Sequence, residues 1–424
     1  MVLEEEAAVR KTGKSRIEEQ ERSQRYLALK EFAREALWET VILSGLAYAQ
    51  EALEAERSAI CGERYARMAD RVAMRSGHGA SSLTLGGRRV KIRRPRVRGA
   101  DGEVSLPSWR EWSSRDPLGQ RAVEQMVVGV STRRYRRSLE PLPGAFQVHG
   151  VSKSAVSERF VVGTANKLAA LMKRKLSALK LLAVMIDGVH FAEHMVLAAV
   201  GIDLNGKKHV LGLRDGATEN AAACKELLAD LTERGLPTER ALLFIIDGAK
   251  ALRKAITDTF GTRALIQRCR EHKKRNIAEA LPERLRAQTR GAMSQAYATA
   301  DPKRARQLLD HLARTLEREY PSAAASLREG LDETLTIMRL DLPESLTRVL
   351  SSTNLIEHLF SRVRDMARRV RRWQGGEMML RWTAAGVLEA ERNFRKIAGF
   401  RSLAKLDAAL RAHDATLDNR KQAA

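Results

Sequence analysis

Asp187 and Asp247 stand in the same local setting: each follows an apolar run and precedes a glycine, in MIDGVH and in IIDGAK. Taken singly, an aspartate in such a place is more often a helix cap or a turn residue. The repetition changes the reading. Two neighbouring buried strands that both end in Asp would bring two carboxylates together at the edge of a sheet, where α/β proteins place their sites. Carboxylates held close repel unless a cation bridges them, and hard oxygen donors favour Mg2+ or Mn2+. The chemistry open to such a pair is metal-assisted attack at a centre that the ions polarise. A third carboxylate, Glu357, lies 110 residues beyond Asp247, itself 60 beyond Asp187. Helical period sets Ile356, Leu359, Phe360, Val363 and Val370 on one apolar face. Glu357 borders that face, and Arg364, Arg368 and Arg371 follow it on one side. Such a carboxylate could hold a metal while the arginines hold phosphates. On pattern alone, a surface glutamate in salt bridges along its helix is the stronger reading.

The elements that must position these residues follow from periodicity. Leu181 to Ile186 reads as a buried strand, and Met195 to Ile202 and His209 to Leu213 as two more joined by an Asn205-Gly206 turn. Asn220 to Arg234 is helical, Ala241 to Ile246 is the second buried strand, and Ala264 to Arg268 is a short one. Hairpin-linked strands followed by strands alternating with helices is the order of an RNase H-like α/β domain. From about Lys273 to Leu340 strand signals vanish and an all-helical insertion is expected; the last long helical pattern opens at Thr353-Asn354 and carries Glu357.

Upstream, the pattern is helical from about Ser15 to Arg75, and the texture changes at Gly77-His78-Gly79. The stretch SLTLGGRRVKIRRPRVR from Ser82 predicts a β-hairpin turning at Gly86-Gly87, with Arg89, Lys91 and Arg93 on one face. A basic ribbon of this kind can follow a phosphate backbone or enter a groove; a solvated edge strand guarded by charge explains it equally well. Residues 117–170 read like a helix-turn-helix: a helix near Arg121 to Val128, a second from Ser131 carrying Arg133, Arg134, Arg136 and Arg137, and a third capped by Ser152. On the third, Ala155, Val156 and Phe160 face inward while Lys153, Ser154, Ser157 and Arg159 face out, as a recognition helix requires. An ordinary helical hairpin is the plainer alternative. The expected organisation is a helical region at 1–76, the basic hairpin segment at 77–116 and the helix-turn-helix-like domain at 117–178. The core then occupies 179–272 and 346–412 around the insertion at 273–345, and a polar, frayed tail fills 413–424.

Charge narrows the partners. Lys and Arg total 75 against 52 acidic residues, a net +23, which steers a protein towards nucleic acid. Aromatic residues are 5% of the chain, which argues against a two-carboxylate glycosidase, since sugar sites need stacking rings. Three widely spaced cysteines, Cys61, Cys224 and Cys269, make no disulfide framework and suit a reducing compartment. No secretory signal follows Glu4-Glu5-Glu6, and no apolar run approaches the ~18 residues of a membrane helix. A cytoplasmic protein, on the nucleoid when bound to DNA, is expected, with no membrane partner.

Four segments in order resemble bacterial insertion-sequence transposases of the Mutator-related DDE class: DGVH at Asp187, DGAK at Asp247, QRCREHKKRN from Gln267 to Asn276, and STNLIEHLFSRVR from Ser352 to Arg364. The match runs from the basic hairpin to about Arg395, and the long second gap is similar to the helical insertion of that class. The resemblance implies that Asp187, Asp247 and Glu357 form a catalytic, metal-holding triad for two Mg2+ or Mn2+ ions. It implies terminal inverted repeats and target DNA as substrates, and a homodimer or larger synaptic assembly. Cys269 and His272 match its C-x-x-H signature; read from the residues they are half of a zinc site without a second pair, so a structural or DNA-positioning role is expected. His358 stands where a basic Arg is more usual, and Arg371-Arg372-Trp373-Gln374 also departs from the pattern. The rival readings are another metal-dependent nuclease or resolvase on the same fold, and an inactive transposase-derived DNA-binding protein.

Overall fold

The apolar runs decide the larger part of the molecule. In a computed structural model, which describes residues 2–65, 72–85, 87–114, 117–139, 148–191, 194–368, 370 and 372–422, the chain divides into two units, Met1–Met126 with Val130–Phe160, and Val127–Gly129 with Val161–Ala424.

In the first unit a long helix α1 (Val2–Cys61) precedes strands β1 (Ala73–Leu85), β2 (Arg88–Gly99) and β3 (Gly102–Val104). Leu85 pairs with Arg88, so the hairpin turns in two residues; Gly87 takes φ 79°, while Gly86 lies outside the described residues. Helix thus ends earlier than the periodicity predicts: Ala73 to Arg75 already pair with Val97 to Gly99, because the hairpin partner recruits them. Leu53, Cys61, Val97 and Leu106 form a small core with Trp109 and Trp112 from α2 (Pro107–Ser114). Helix α3 (Pro117–Val127) leads to turns and one 3-10 turn at Tyr135–Ser138, then to β4 (Val148–His149) and α4 (Lys153–Met172). The α-helix expected from Ser131 is not formed. Four arginines along one such helix repel, and Tyr135 is instead drawn into the core, its hydroxyl donating to the Gly87 carbonyl at 3.2 Å. The loop around Pro141 and Pro143 lies outside the described residues.

The second unit is built on a five-stranded sheet of β5 (Leu181–Phe191), β6 (His194–Asp203), β7 (Lys208–Asp215), β8 (Leu242–Ile246) and β9 (Ala264–Arg268), in the order β7-β6-β5-β8-β9. β5, β6 and β7 are antiparallel neighbours, and β8 and β9 run parallel to β5. Runs with no polar alternation must be covered on both faces. One face packs on α5 (Ala221–Glu233), capped by Asn220, and α6 (Lys250–Phe260), burying Val184, Ile186, Phe244, Leu227 and Ile256.

Between β9 and the far side of the sheet lie seven helices: α7 (Arg270–Glu279), α8 (Glu283–Ala298), α9 (Pro302–Glu317), α10 (Pro321–Arg328), α11 (Leu331–Thr334), α12 (Thr336–Arg339) and α13 (Glu344–Leu350). α7 to α11 enclose their own core of Ile277, Met293, Leu309, Leu327 and Leu331. The chain then returns as α14 (Asn354–Ala367), α15 (Gly376–Arg392) and α16 (Leu403–Gln422), which cover the second face of the sheet through Ile356, Phe360, Val387 and Leu406 against Met185, Val189 and Val200. α16 carries on to Gln422, and Asp414 receives the Ala241 amide at 2.8 Å and pairs with Arg263. Among the described residues no helix is long and apolar enough to cross a membrane.

Candidate active site

Asp187 does not end its strand. β5 continues to Phe191 because β6 keeps pairing with it, Asp187 opposite Ala198 and Phe191 opposite His194. The parallel partner does stop: Ile186–Ile246 is the last pair of β5 with β8, and Asp247 is the residue after β8. Adjacent strands lie ~4.8 Å apart, so the register sets Asp187 and Asp247 side by side where the sheet opens into a crevice. Asp187 faces the α14 side of the sheet, like Met185 and Val189. It is 3% exposed and its Oδ1 accepts the Gly188 amide at 2.9 Å. Asp247 has both oxygens held: Oδ1 by the Ala249 amide and Oδ2 by the Thr218 hydroxyl, each at 2.9 Å.

Glu357 is in the first turn of α14, which docks on β5 with Ile356, Leu359, Phe360 and Val363 buried. Docking that face swings Glu357 towards the crevice, where its Oε1 lies 3.7 Å from His272 Nε2 and 3.7 Å from Arg275 Nη2. Ligand atoms of Asp187, His272 and Glu357 all lie within 4.8 Å of one another, a grouping that can hold a metal ion. Asp247 is outside that grouping, at the neighbouring strand end. A polar cavity of about 480 Å³ extends from Asp247 and His272 towards α10, lined also by Lys250, Asn276 and Ser326.

The C-x-x-H pair is divided in its placement. Cys269 is fully buried as the N-cap of α7 and its sulfur accepts from the His272 amide at 3.5 Å and the Thr353 amide at 3.4 Å, joining the starts of α7 and α14. His272, one turn on, presents its ring to the carboxylates. Gln267, Arg268, Arg270 and Lys273 of that segment are buried. The Gln267 amide group donates to the Thr334 carbonyl at 3.1 Å and accepts from the Ile337 amide at 2.8 Å. Arg268 bridges the Gly248 and Glu329 carbonyls, Arg270 reaches Thr334, and Lys273 donates to the carbonyls of Ser326 and Glu329. These bonds fix the helical insertion to the loop that carries Asp247.

Electrostatics follow from this packing. Burial pushes the Asp187 carboxyl up to about 6, against the pull of His272 and of the Thr353 hydroxyl. His272 is raised to about 9, first by its hydrogen bond with Cys269 and then by the Asp187 charge, with burial opposing. Burial would raise the Cys269 thiol, but the bonds from His272 more than offset it and hold it below its ordinary range. In the absence of a cation, an imidazolium between Asp187 and Glu357 supplies the counter-charge that two close carboxylates need.

The remaining expected residues are more scattered. Arg364 and Arg368 are exposed on and just after α14, and Arg371 lies outside the described residues. In the first unit Arg89, Lys91 and Arg93 are exposed on one face of β2. Lys153, Ser154 and Ser157 are exposed in the first turns of α4, but Arg159 is not outward: it folds back on the Gly150 carbonyl and is half-buried. Thr218, Thr353 and Arg275 escaped the sequence reading. Nothing near Thr218 signals a role, whereas Thr353, in the STN before Glu357, could have been noticed as a polar residue at the mouth of a helix.

Residues 9–396 match the model of the Mutator family of transposases. The chain is similar to the transposase for insertion sequence element IST2 of Acidithiobacillus ferrooxidans, 32% identical over 42% of this chain and 58% of that relative. It is similar to the transposase for ISRM5 of Rhizobium meliloti, 29% identical over 81% of this chain and 86% of the relative. The transposase for IS406 of Burkholderia multivorans is 28% identical over 80% of this chain and 88% of its own length.

Proposed function

The chain belongs to the Mutator family of transposases, and on that premise we propose that it cuts and rejoins DNA in a DDE-type site of Asp187, Asp247 and Glu357 on an RNase H-like core. The observation that carries the reading is the convergence of Asp187, His272 and Glu357 at the point where β8 leaves β5, with Asp247 on the adjoining strand end. The donor set fits hard divalent cations: buried or half-buried carboxylates, one of them held protonated to about pH 6 by burial when no cation is there. Asp187, Asp247 and Glu357 would hold Mg2+ or Mn2+, which would stabilise the attacking and leaving oxygens of an in-line displacement.

The protein's own groups do the rest. Thr218 and the Ala249 amide hold Asp247 in one orientation, and Cys269 holds the start of α7 to the start of α14, so the carboxylates are positioned before DNA arrives. Lys250, Asn276 and Arg275 are placed to meet backbone phosphates at the cavity. Water attacks the phosphodiester at the element end and frees a 3′-hydroxyl; that hydroxyl attacks target DNA in the same site, and no covalent bond to the protein forms. The Arg89-Lys91-Arg93 face of the hairpin and the outward residues of α4, Lys153, Ser154 and Ser157, contact the terminal repeats. Two ends are held in a homodimer or larger assembly.

The test is cleavage of DNA bearing the element's own terminal repeats, in Mg2+ or Mn2+, by wild type and Asp187→Ala. Metal-dependent nicking at the repeat end, lost in a variant that still binds the repeat, supports the assignment. Equal nicking by both proteins removes Asp187 from the site.

A further inference from the structure

We propose that His272 is a nitrogen ligand of the cation held by Asp187 and Glu357, and that Thr353 and Cys269 fix its ring for that task; the proposal rests on the metal-site reading above. Proximity is the first argument. His272 is the only nitrogen donor in the described grouping whose ligand atoms lie within 4.8 Å of one another. The second argument is the division of work between the two ring nitrogens. A histidine that binds a metal through one nitrogen almost always gives its other N–H to an orienting group. Here Nδ1 lies 3.3 Å from Thr353 Oγ1, while Nε2 is directed at Glu357 Oε1, 3.7 Å away.

Thr353 settles which nitrogen keeps the proton. Its hydroxyl donates to Cys269 Sγ at 3.6 Å, which spends its one proton. Its oxygen is then free to accept, and what it can accept is an Nδ1–H. That tautomer leaves the lone pair of Nε2 facing the two carboxylates. Cys269 contributes from beneath: fully buried, its sulfur takes the amides of His272 and Thr353, which ties the backbone of the histidine to the backbone of the threonine. Cys269 is therefore no ligand, and the C-x-x-H spacing needs no second pair elsewhere. The cysteine caps the helix and the histidine, three residues later, reaches the site.

An imidazole in a carboxylate set changes the preferred ion. Nitrogen donors suit Mn2+ and later transition metals better than Mg2+, so His272 makes this site discriminate in favour of Mn2+.

The experiment uses the full chain stripped with chelator and reloaded with Mn2+. Binding is followed by calorimetry and the bound ion by pulsed EPR, which reads coupling to a ligating 14N. Wild type should show nitrogen coupling; His272→Ala should lose it and bind Mn2+ about tenfold or more weakly, with little change for Mg2+. Thr353→Val should weaken Mn2+ binding in the same direction with the histidine still present. Asp187→Asn should abolish binding. Wild-type Mn2+ without nitrogen coupling, alongside loss of binding in Asp187→Asn, overturns the histidine ligand and keeps the carboxylate site. Equal Mn2+ binding by wild type and Asp187→Asn overturns both. Because the decisive spectrum is that of wild type, a variant that folds poorly does not blunt the test.

Discussion

Replacing Asp187 with Asn should end DNA cleavage and, in chelator at neutral pH, make the protein more stable. The side chain is 3% exposed, and burial, the largest influence on it, moves the carboxyl from 3.8 to about 6. A carboxyl that keeps its proton longer in the folded chain than in the unfolded one makes stability fall as pH rises between those values and stay reduced above them. Moving from 3.8 to about 6 corresponds to about 3 kcal/mol at pH 7. That figure is already net of the attraction of His272, so Asn, which keeps the shape without the charge, should gain about 3 kcal/mol at pH 7 and little near pH 4. Urea unfolding in chelator at both pH values measures this. The same titration with Mn2+ at about a hundred times its dissociation constant should add about 2.7 kcal/mol to wild type and nothing to the variant. An Asn variant less stable than wild type in chelator at pH 7 refutes the burial argument, and an equal Mn2+ increment in both proteins refutes the metal-holding role.

Three further outcomes follow from the same packing. Gln267→Leu leaves the buried Ile337 amide without its acceptor and the Thr334 carbonyl with Arg270 alone, so denaturant unfolding should report a loss of about 2–3 kcal/mol; stability within 0.5 kcal/mol of wild type, a margin of about the usual surface-substitution noise, contradicts the anchoring. Gly248→Ala places a side chain at φ 103° against the Arg268 guanidinium, so both stability and cleavage should fall while repeat binding in gel shift is unchanged. Asp414→Ala removes the acceptor of the Ala241 amide and a partner of Arg263, and should cost about 1–2 kcal/mol by thermal melt; an unchanged melt would restore the view of that segment as a loose tail.

The strands around the site were legible because sequences such as LLAVMI and ALLFII have no arrangement that satisfies them except burial on two faces. What they do not reveal is where a strand stops when its partner stops at a different place. β5 outruns β8 by five residues, Asp187 to Phe191, since only β6 continues beside it. Glu357 shows the same limit. Its helix predicts a solvated glutamate as readily as a ligand, and only the docking of Phe360 and Val363 on the sheet turns it to the crevice. The arginines at Arg133 to Arg137 look like a helix until Tyr135 is given a place in the core.

The segment from Gln267 to Asn276 shows the limit most sharply, because Cys269 and His272 by themselves spell half a zinc site with no second Cys or His pair. The carboxylates grouped with His272 stand at 187 and 357, each 85 residues from it, and no local spacing rule reaches so far. The net +23 misleads here in a further way. Arg268, Arg270 and Lys273 belong to that charge, yet all three are buried and spend their protons on carbonyls of the helical insertion. Burial pulls Lys273 down to about 8 and lowers Arg270 as well, the signature of cations placed for packing and not for phosphate. In this stretch Arg275, half-exposed beside Glu357, and Asn276, on the wall of the cavity, are the groups turned towards the site. This basic segment thus serves mainly to lock the insertion onto the core, whereas Arg89, Lys153 and Arg364 stand exposed on the surface.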